Sequence, residues 1–263
     1  MAIKTIDLNT WQFPALPDEI PHGDMPGDKV EIGEKHIRKA QTIFPLLMER
    51  LGAQDSNRAV VSVYGGSGVG KSEIASLLSF YLNAAGIGAY TMSGDNYPHR
   101  IPKNNDAMRL QVYEEKGEAG LKEYLGSELE INFKEVNEIL RQFHEGADTI
   151  VLRRMGRTET ELWYEPVDFS KIQVLILEWT HGNNDLLRGV DIPVFLGSTP
   201  AETLAHRIRR NRDGNPDSPF VTKVLEMEQD LLTSQGGRAA FIISKDGDVI
   251  TYEEYLEKIA NEK

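Results

Sequence analysis

The chain contains no cysteine. That excludes disulfides, thiolate metal sites and a cysteine nucleophile. Basic residues are in the minority: 29 Lys and Arg stand against 41 Asp and Glu, a formal charge of −12. An acidic surface repels nucleic-acid backbones and anionic membranes, which disfavours a non-specific nucleic-acid binder. Any anionic ligand must then be drawn by local basic clusters. No apolar run approaches membrane-spanning length. The opening MAIKTIDLNTWQF lacks a basic start followed by a long apolar core and does not read as a secretory signal. No internal repeat or low-complexity segment stands out. These absences predict a cytoplasmic enzyme that works without nucleic acid or membrane.

What is present is ordinary for a globular protein. Of 263 residues, 40% are hydrophobic and 27% charged, enough for one α/β domain with appendages. The first 30 or so residues are rich in Pro, Asp and Gly and predict an arm of loops and short strands. In GEKHIRKAQTIFPLLMERL, Ile37, Ala40, Ile43, Phe44, Leu47 and Leu51 recur at helical spacing, with a bend expected at Pro45. This helix could cap a sheet or form a homodimer contact. Beyond it, apolar strands alternate with helical stretches: RAVVSVYG, IGAYTMSG, DTIVLRR, KIQVLILEW, DIPVFLGS and AAFIIS read as strands. Residues 106–145 read as largely helical, broken near Gly117–Gly120. Several strands are continuously apolar, the mark of a mostly parallel sheet covered on both faces. The expected organisation is an arm and helix over residues 1–55 and a three-layer α/β/α domain over 56–263.

Gly65-Gly66-Ser67-Gly68-Val69-Gly70-Lys71-Ser72 fits the pattern G-x-x-x-x-G-K-[ST] between a strand and a helix. Glycines let the backbone curl around an anion. Curled amides and the helix N-terminus aim N–H dipoles at phosphate oxygens. Lys71 supplies a point charge for the β- and γ-phosphates, and the Ser72 hydroxyl can ligate Mg2+. Glu73 follows in the first helical turn. ATP with Mg2+ is the expected donor.

Three further stretches carry chemistry. The strand VLILEW ends on Glu178, where open α/β sheets bind ligands; it could hold Mg2+ or orient an acceptor. In TMSGDNYPHR, Asp95 follows the second strand and could take the proton of an acceptor hydroxyl. An Asx turn is the alternative reading of Gly-Asp-Asn. Tyr97, His99 and Arg100 are acceptor-contact candidates from the same stretch. In HRIRRNRDGNPDSP, Arg207, Arg209, Arg210 and Arg212 enter a Gly/Asn/Pro-rich loop and read as a mobile lid that neutralises transferring charge. A solvated basic helix end accounts for some of them. His22, His36, His144 and His206 show no metal-ligand spacing.

The order of these features resembles the uridine kinase and phosphoribulokinase group of P-loop kinases. That group has a glycine loop, an Asp after the second strand, a hairpin-like insertion, a strand ending in Glu and an R-x-x-R lid. Here those are Gly65–Ser72, Asp95–Tyr97, Glu178, and Arg207 with Arg210. EWTHG is similar to the E-G-L-H-G of phosphoribulokinases, with Trp179 where the small glycine stands and His181 at the histidine. Asn211 replaces the usual Asp after the second lid arginine. The resemblance covers roughly residues 58–250. It implies transfer of the ATP γ-phosphate to a small-molecule hydroxyl, with Asp95 as base, Glu178 on the magnesium side, and Lys71, Arg207 and Arg210 stabilising charge. Arg212 would contact ATP.

SGDNYPHR is also similar to the D-G-D-N-x-x-H of adenylylsulfate kinases, an alternative that covers only this stretch and the glycine loop. A second alternative is a nucleotide-hydrolysing P-loop protein without an acceptor. No Asn-Lys-x-Asp base-reading motif is present, and a Walker B aspartate is not found at the end of an apolar strand. For the acceptor, Arg153, Arg154 and Arg157 cluster beside Trp163 and Tyr164. Paired arginines suit a phosphate or carboxylate, and an aromatic can stack on a base. A salt-bridged surface hairpin explains the cluster as well. Arg154, Arg157 and His181 join the acceptor candidates, and a nucleoside-like or sugar-phosphate hydroxyl is the expected class.

Overall fold

The computed structural model describes residues 2–210 and 218–262, apart from the side chains of His206, Arg209, Arg210 and Glu262. In chain order the elements are α1 (Glu34–Gly52), β1 (Ala59–Gly65), α2 (Lys71–Ala84), β2 (Ala89–Ser93), a short 3-10 turn (Gly94–Asn96), α3 (Pro102–Tyr124), α4 (Phe133–His144), β3 (Thr149–Met155), β4 (Leu162–Asp168), β5 (Val174–Glu178), β6 (Ile192–Leu196), α5 (Pro200–Arg210), α6 (Pro219–Gly236), β7 (Phe241–Ile243), β8 (Val249–Ile250) and α7 (Tyr252–Glu262). The main sheet has the order β2-β5-β1-β6-β7-β8. Its first five strands run parallel and only β8 is antiparallel.

The continuous apolar strands are explained by burial on both faces. Along β1, Val61 and Val63 join the core under α1 and α2, whereas Val60 joins the core under α4. Along β5, Val174 and Ile176 face the first layer, and Leu175 and Leu177 the second. Alternate side chains point to opposite faces of a strand, so both sets must be apolar. Helix α4 contributes Val136, Ile139, Leu140 and Phe143 at helical spacing.

Helix α1 runs from Glu34 through Pro45 to Gly52. Its face of Ile43, Phe44, Leu47 and Leu51 is fully buried against this chain, so it caps the sheet. The arm before it departs from expectation, because residues 2–33 form no strand. Side-chain packing holds it instead. Trp11 stacks on Phe44 at 5.5 Å, and Phe13 meets Tyr81 edge-on at 4.9 Å. The expected break in the helical region falls at Gly117, whose φ of 66° interrupts α3. Strands β3 and β4 form a separate antiparallel hairpin.

Candidate active site

Strand register places three sequence motifs side by side. Val63 on β1 and Ser93 on β2 both pair with Glu178 on β5. The glycine loop after β1, the turn after β2 and the end of β5 therefore share the C-terminal edge of the sheet, the ligand-binding edge of open α/β folds. A cleft of about 280 Å³ opens there.

The loop from Gly65 to Gly70 delivers Lys71 and Ser72 as the first residues of α2. Gly65 has φ 152°, and a Cβ there would lie 2.7 Å from the Leu196 carbonyl oxygen, so no side chain fits. Ser67, Gly68, Lys71 and Ser72 line the cleft. Gly66 edges a smaller recess with Ser67, Thr199, Arg207 and Gln229. Lys71 Nζ donates to the Gly66 carbonyl at 3.0 Å, which folds the cation back across the loop.

Glu178 is buried and accepts two hydroxyl hydrogen bonds. Ser72 Oγ donates to Oε2 at 3.1 Å, and Ser93 Oγ donates to Oε1 at 2.8 Å. Burial, reinforced by the charge of nearby Asp95, pushes this carboxyl up to about 7. Asp95 sits exposed on the 3-10 turn and lines the same cleft. A serine hydroxyl beside a carboxylate fits Mg2+, which takes few protein oxygens and completes its shell with water and phosphate. Among the described residues, no group of three or more His, Asp or Glu side chains could hold a metal by itself.

Arg157, His181 and Arg207 also line the cleft. Burial pushes His181 down to about 4, so it is neutral at physiological pH. Arg207 Nη2 donates to the Pro200 carbonyl at 3.1 Å. Other candidates do not reach the cleft. Tyr97 is fully buried, and its hydroxyl donates to Met92 Sδ at 3.8 Å. His99 is exposed, with Nε2 3.0 Å from the Glu128 carbonyl. Arg100 donates to the Tyr124 hydroxyl at 3.2 Å. Arg154 is buried between Asp24 and Glu165, each 2.7 Å away. Val69 packs into the core under α1 and α2, and Glu73 is buried in α2. The Arg210 side chain, Arg212 and the expected lid loop lie outside the described residues.

Several lining residues were not anticipated. The arm returns to the sheet edge and contributes Met25, Pro26 and Asp28. Asn105 and Arg109 of α3, Glu130 of the following loop and Glu228 of α6 form a polar wall. Arg109 Nε donates to Glu130 Oε1 at 2.6 Å, and its Nη2 donates to Glu228 at 3.2 Å. Asn105 Nδ2 and the Gly126 N–H also donate to Glu130, at 2.9 and 2.7 Å. Burial works to raise the Glu130 carboxyl, but Arg109, helped by these donors, holds it below the usual range. Asn105 and Arg109, spaced by four, share a face of α3, but the helical region expected from sequence begins at residue 106 and neither residue is singled out there. Their partner Glu130 lay in no recognisable motif.

A glycine loop, a carboxylate at the end of the adjacent strand and a parallel sheet with helices on both faces define the three-layer fold of the P-loop kinases. The fold is that of the uridine kinase and phosphoribulokinase group. Phosphoribulokinase from Rhodobacter spheroides superposes with a TM-score of 0.55 at 15% sequence identity, over 72% of this chain and 70% of that one. A possible uridine kinase from Bacillus stearothermophilus gives 0.51 at 17% identity, over 80% and 97%. A protein described as a fructose transport system kinase from Silicibacter sp. gives 0.56 at 16%, over 74% and 94%. In sequence, the chain is 50% identical over 213 residues to the bifunctional alpha-galactosidase/sucrose kinase AgaSK of Mediterraneibacter gnavus. That stretch is 81% of this chain, and the chain spans 23% of that relative's length. No family model matches. Among the described residues, no helix is long and apolar enough to cross a membrane.

Proposed function

We propose that the chain is an ATP-dependent kinase that transfers the γ-phosphoryl group to a hydroxyl of an uncharged sugar. The observation that carries this reading is one cleft that holds Lys71, Ser72, Glu178 and Asp95 at its donor end and a charge-paired polar wall opposite. In the proposed reaction the loop amides and Lys71 hold the phosphates. Asp95 accepts the proton of the attacking hydroxyl, and Arg157 and Arg207 supply positive charge from the cleft rim. Ser72 and Glu178 would hold Mg2+, which, when bound, neutralises phosphate charge.

The acceptor class follows from where the arginines are spent. A sugar phosphate needs an unengaged arginine fork on the acceptor side. Arg154 is already paired with Asp24 and Glu165, and Arg109 with Glu130 and Glu228. Arg153 lies 3.9 Å from Glu135. Trp163 and Tyr164, the aromatics expected to stack on a base, are half exposed on the hairpin and line no part of the cleft. Arg157 also lines the cleft, and the proposed reaction places its charge on the transferring phosphoryl group; the remaining Asn105, Glu130, neutral His181 and Asp106 offer donors and acceptors that suit hydroxyl groups. The sucrose kinase half of the related protein's name supports the same reading. The adenylylsulfate alternative gains no support from these relatives, and its motif histidine, His99, is turned to a backbone carbonyl outside the cleft.

The test is ATP and Mg2+ with a panel of sucrose, other neutral sugars, sugar phosphates, nucleosides and adenylylsulfate, with products identified by mass spectrometry. A phosphorylated neutral sugar is expected. Phosphorylation confined to nucleosides or sugar phosphates contradicts the acceptor class. ADP release that no acceptor accelerates contradicts the kinase reading itself.

A further inference from the structure

We infer that the N-terminal arm is a working part of this site and that Asp24 is a positioning residue for the turn that presents Asp95. Its two carboxylate oxygens do separate jobs. Oδ1 accepts from the Ser93 N–H at 2.7 Å and from Asn96 Nδ2 at 3.0 Å. Oδ2 accepts from Arg154 Nη1 at 2.7 Å and from the Tyr90 hydroxyl at 3.0 Å. Ser93 and Asn96 are the two shoulders of the turn, flanking Gly94 and Asp95. A single oxygen therefore ties both ends of the turn to the arm.

The tie has no solvent substitute. Ser93 is 1% exposed, Asn96 is fully buried and the Asp24 side chain is 6% exposed. A donor that loses its acceptor at such a site stays unpaired, so the turn must shift to find another. Movement there reaches both carboxylates of the proposed chemistry. Asp95 lies between the two tied residues, and Ser93 Oγ holds Glu178 Oε1. The Oδ2 side anchors the strut itself. Arg154 also binds Glu165 and the Tyr90 hydroxyl, at 2.7 and 2.9 Å, and so fixes the hairpin and β2 to the same carboxylate. Asn96 Oδ1 closes the circuit by accepting from the Met155 N–H at 3.0 Å.

The inference rests on Asp95 and Glu178 as the transfer site, and its test separates the two ideas. Asp24→Asn keeps an Oδ1 for the turn but puts an N–H2 donor where Oδ2 accepts from Arg154 and Tyr90, whereas Asp24→Ala removes both oxygens. In the full chain, Asp24→Ala is expected to raise amide hydrogen exchange over residues 93–97 at least tenfold while α2 stays protected. Its kcat should fall at least tenfold with KM for ATP within twofold. Asp24→Asn, which keeps the Oδ1 tie but loses the Oδ2 acceptor, should exchange more slowly over residues 93–97 and retain more kcat than Asp24→Ala. If Asp24→Ala does not fold, Asn96→Ala cuts the same tie from the other side and gives the same exchange readout. A turn that stays protected without Oδ1 overturns the inference, whether or not the parent protein phosphorylates a sugar. So does fast exchange with an unchanged kcat, or an Asp24→Asn variant as impaired as Asp24→Ala.

Discussion

Glu178 shows most sharply how single residues here serve chemistry against stability. Its carboxyl lies in a buried pocket near Asp95, and the protein holds it from an ordinary 4.5 up to about 7. Between those values the folded chain keeps a proton that the unfolded chain has released. Stability therefore falls as pH rises through that window, by on the order of 3 kcal/mol once the group is ionised. Glutamine at this position never takes the charge. Glu178→Gln is thus expected to melt close to the parent at pH 4.5 and several degrees above it at pH 8, while phosphoryl transfer is lost. Thermal melts across pH decide it, and a melting difference that does not change with pH contradicts the assignment. The sequence made Glu178 legible because it closes an apolar strand. It made Asp24 illegible, because its partners Ser93, Asn96, Tyr90 and Arg154 are 66 or more residues away and no local pattern announces them.

At the scale of elements, the turn after β2 and the end of β5 are built for each other. Trp179 follows β5 directly, and Gly94 makes room for its ring. A Cβ at Gly94 would sit 2.0 Å from Trp179 Cγ. Gly94→Ala should therefore destabilise the protein by about 1–3 kcal/mol through overpacking and lower transfer by displacing Asp95. Chemical denaturation and steady-state kinetics check this; an alanine variant with parent stability and rate refutes the contact. Local pattern was a good guide to such elements where their signals were internal. The glycine loop and the apolar strands carry their own signals. The loop with Glu130 does not, since its role comes from Arg109, Asn105 and Gly126 meeting around one carboxylate. Arg157 of VLRRMGR lines the cleft, whereas Arg153 and Arg154 are held by partners that are distant in sequence. Their charge is visible in sequence, but the Asp24, Glu165 and Glu135 that neutralise it are not.

At the scale of the molecule, the acidic balance of the sequence continues into the site. Asp28, Asp95, Asp106, Glu130, Glu178 and Glu228 all line the cleft, against Lys71, Arg109, Arg157 and Arg207. Arg109 is spent on Glu130 and Glu228, the pairing on which the proposed neutral acceptor rests. Alternation of strand and helix was enough to read a parallel three-layer fold. The strand order was not readable, yet it is the order β2-β5-β1 that brings Asp95, Glu178 and the glycine loop to one edge. The central claim is that Asp95 faces the acceptor hydroxyl across that edge and takes its proton. Asp95→Asn tests it most directly, with ATP affinity and sugar phosphorylation measured on the same preparation. ATP affinity within about twofold and transfer reduced on the order of 10²-fold or more is the predicted result. Transfer at the parent rate would contradict it.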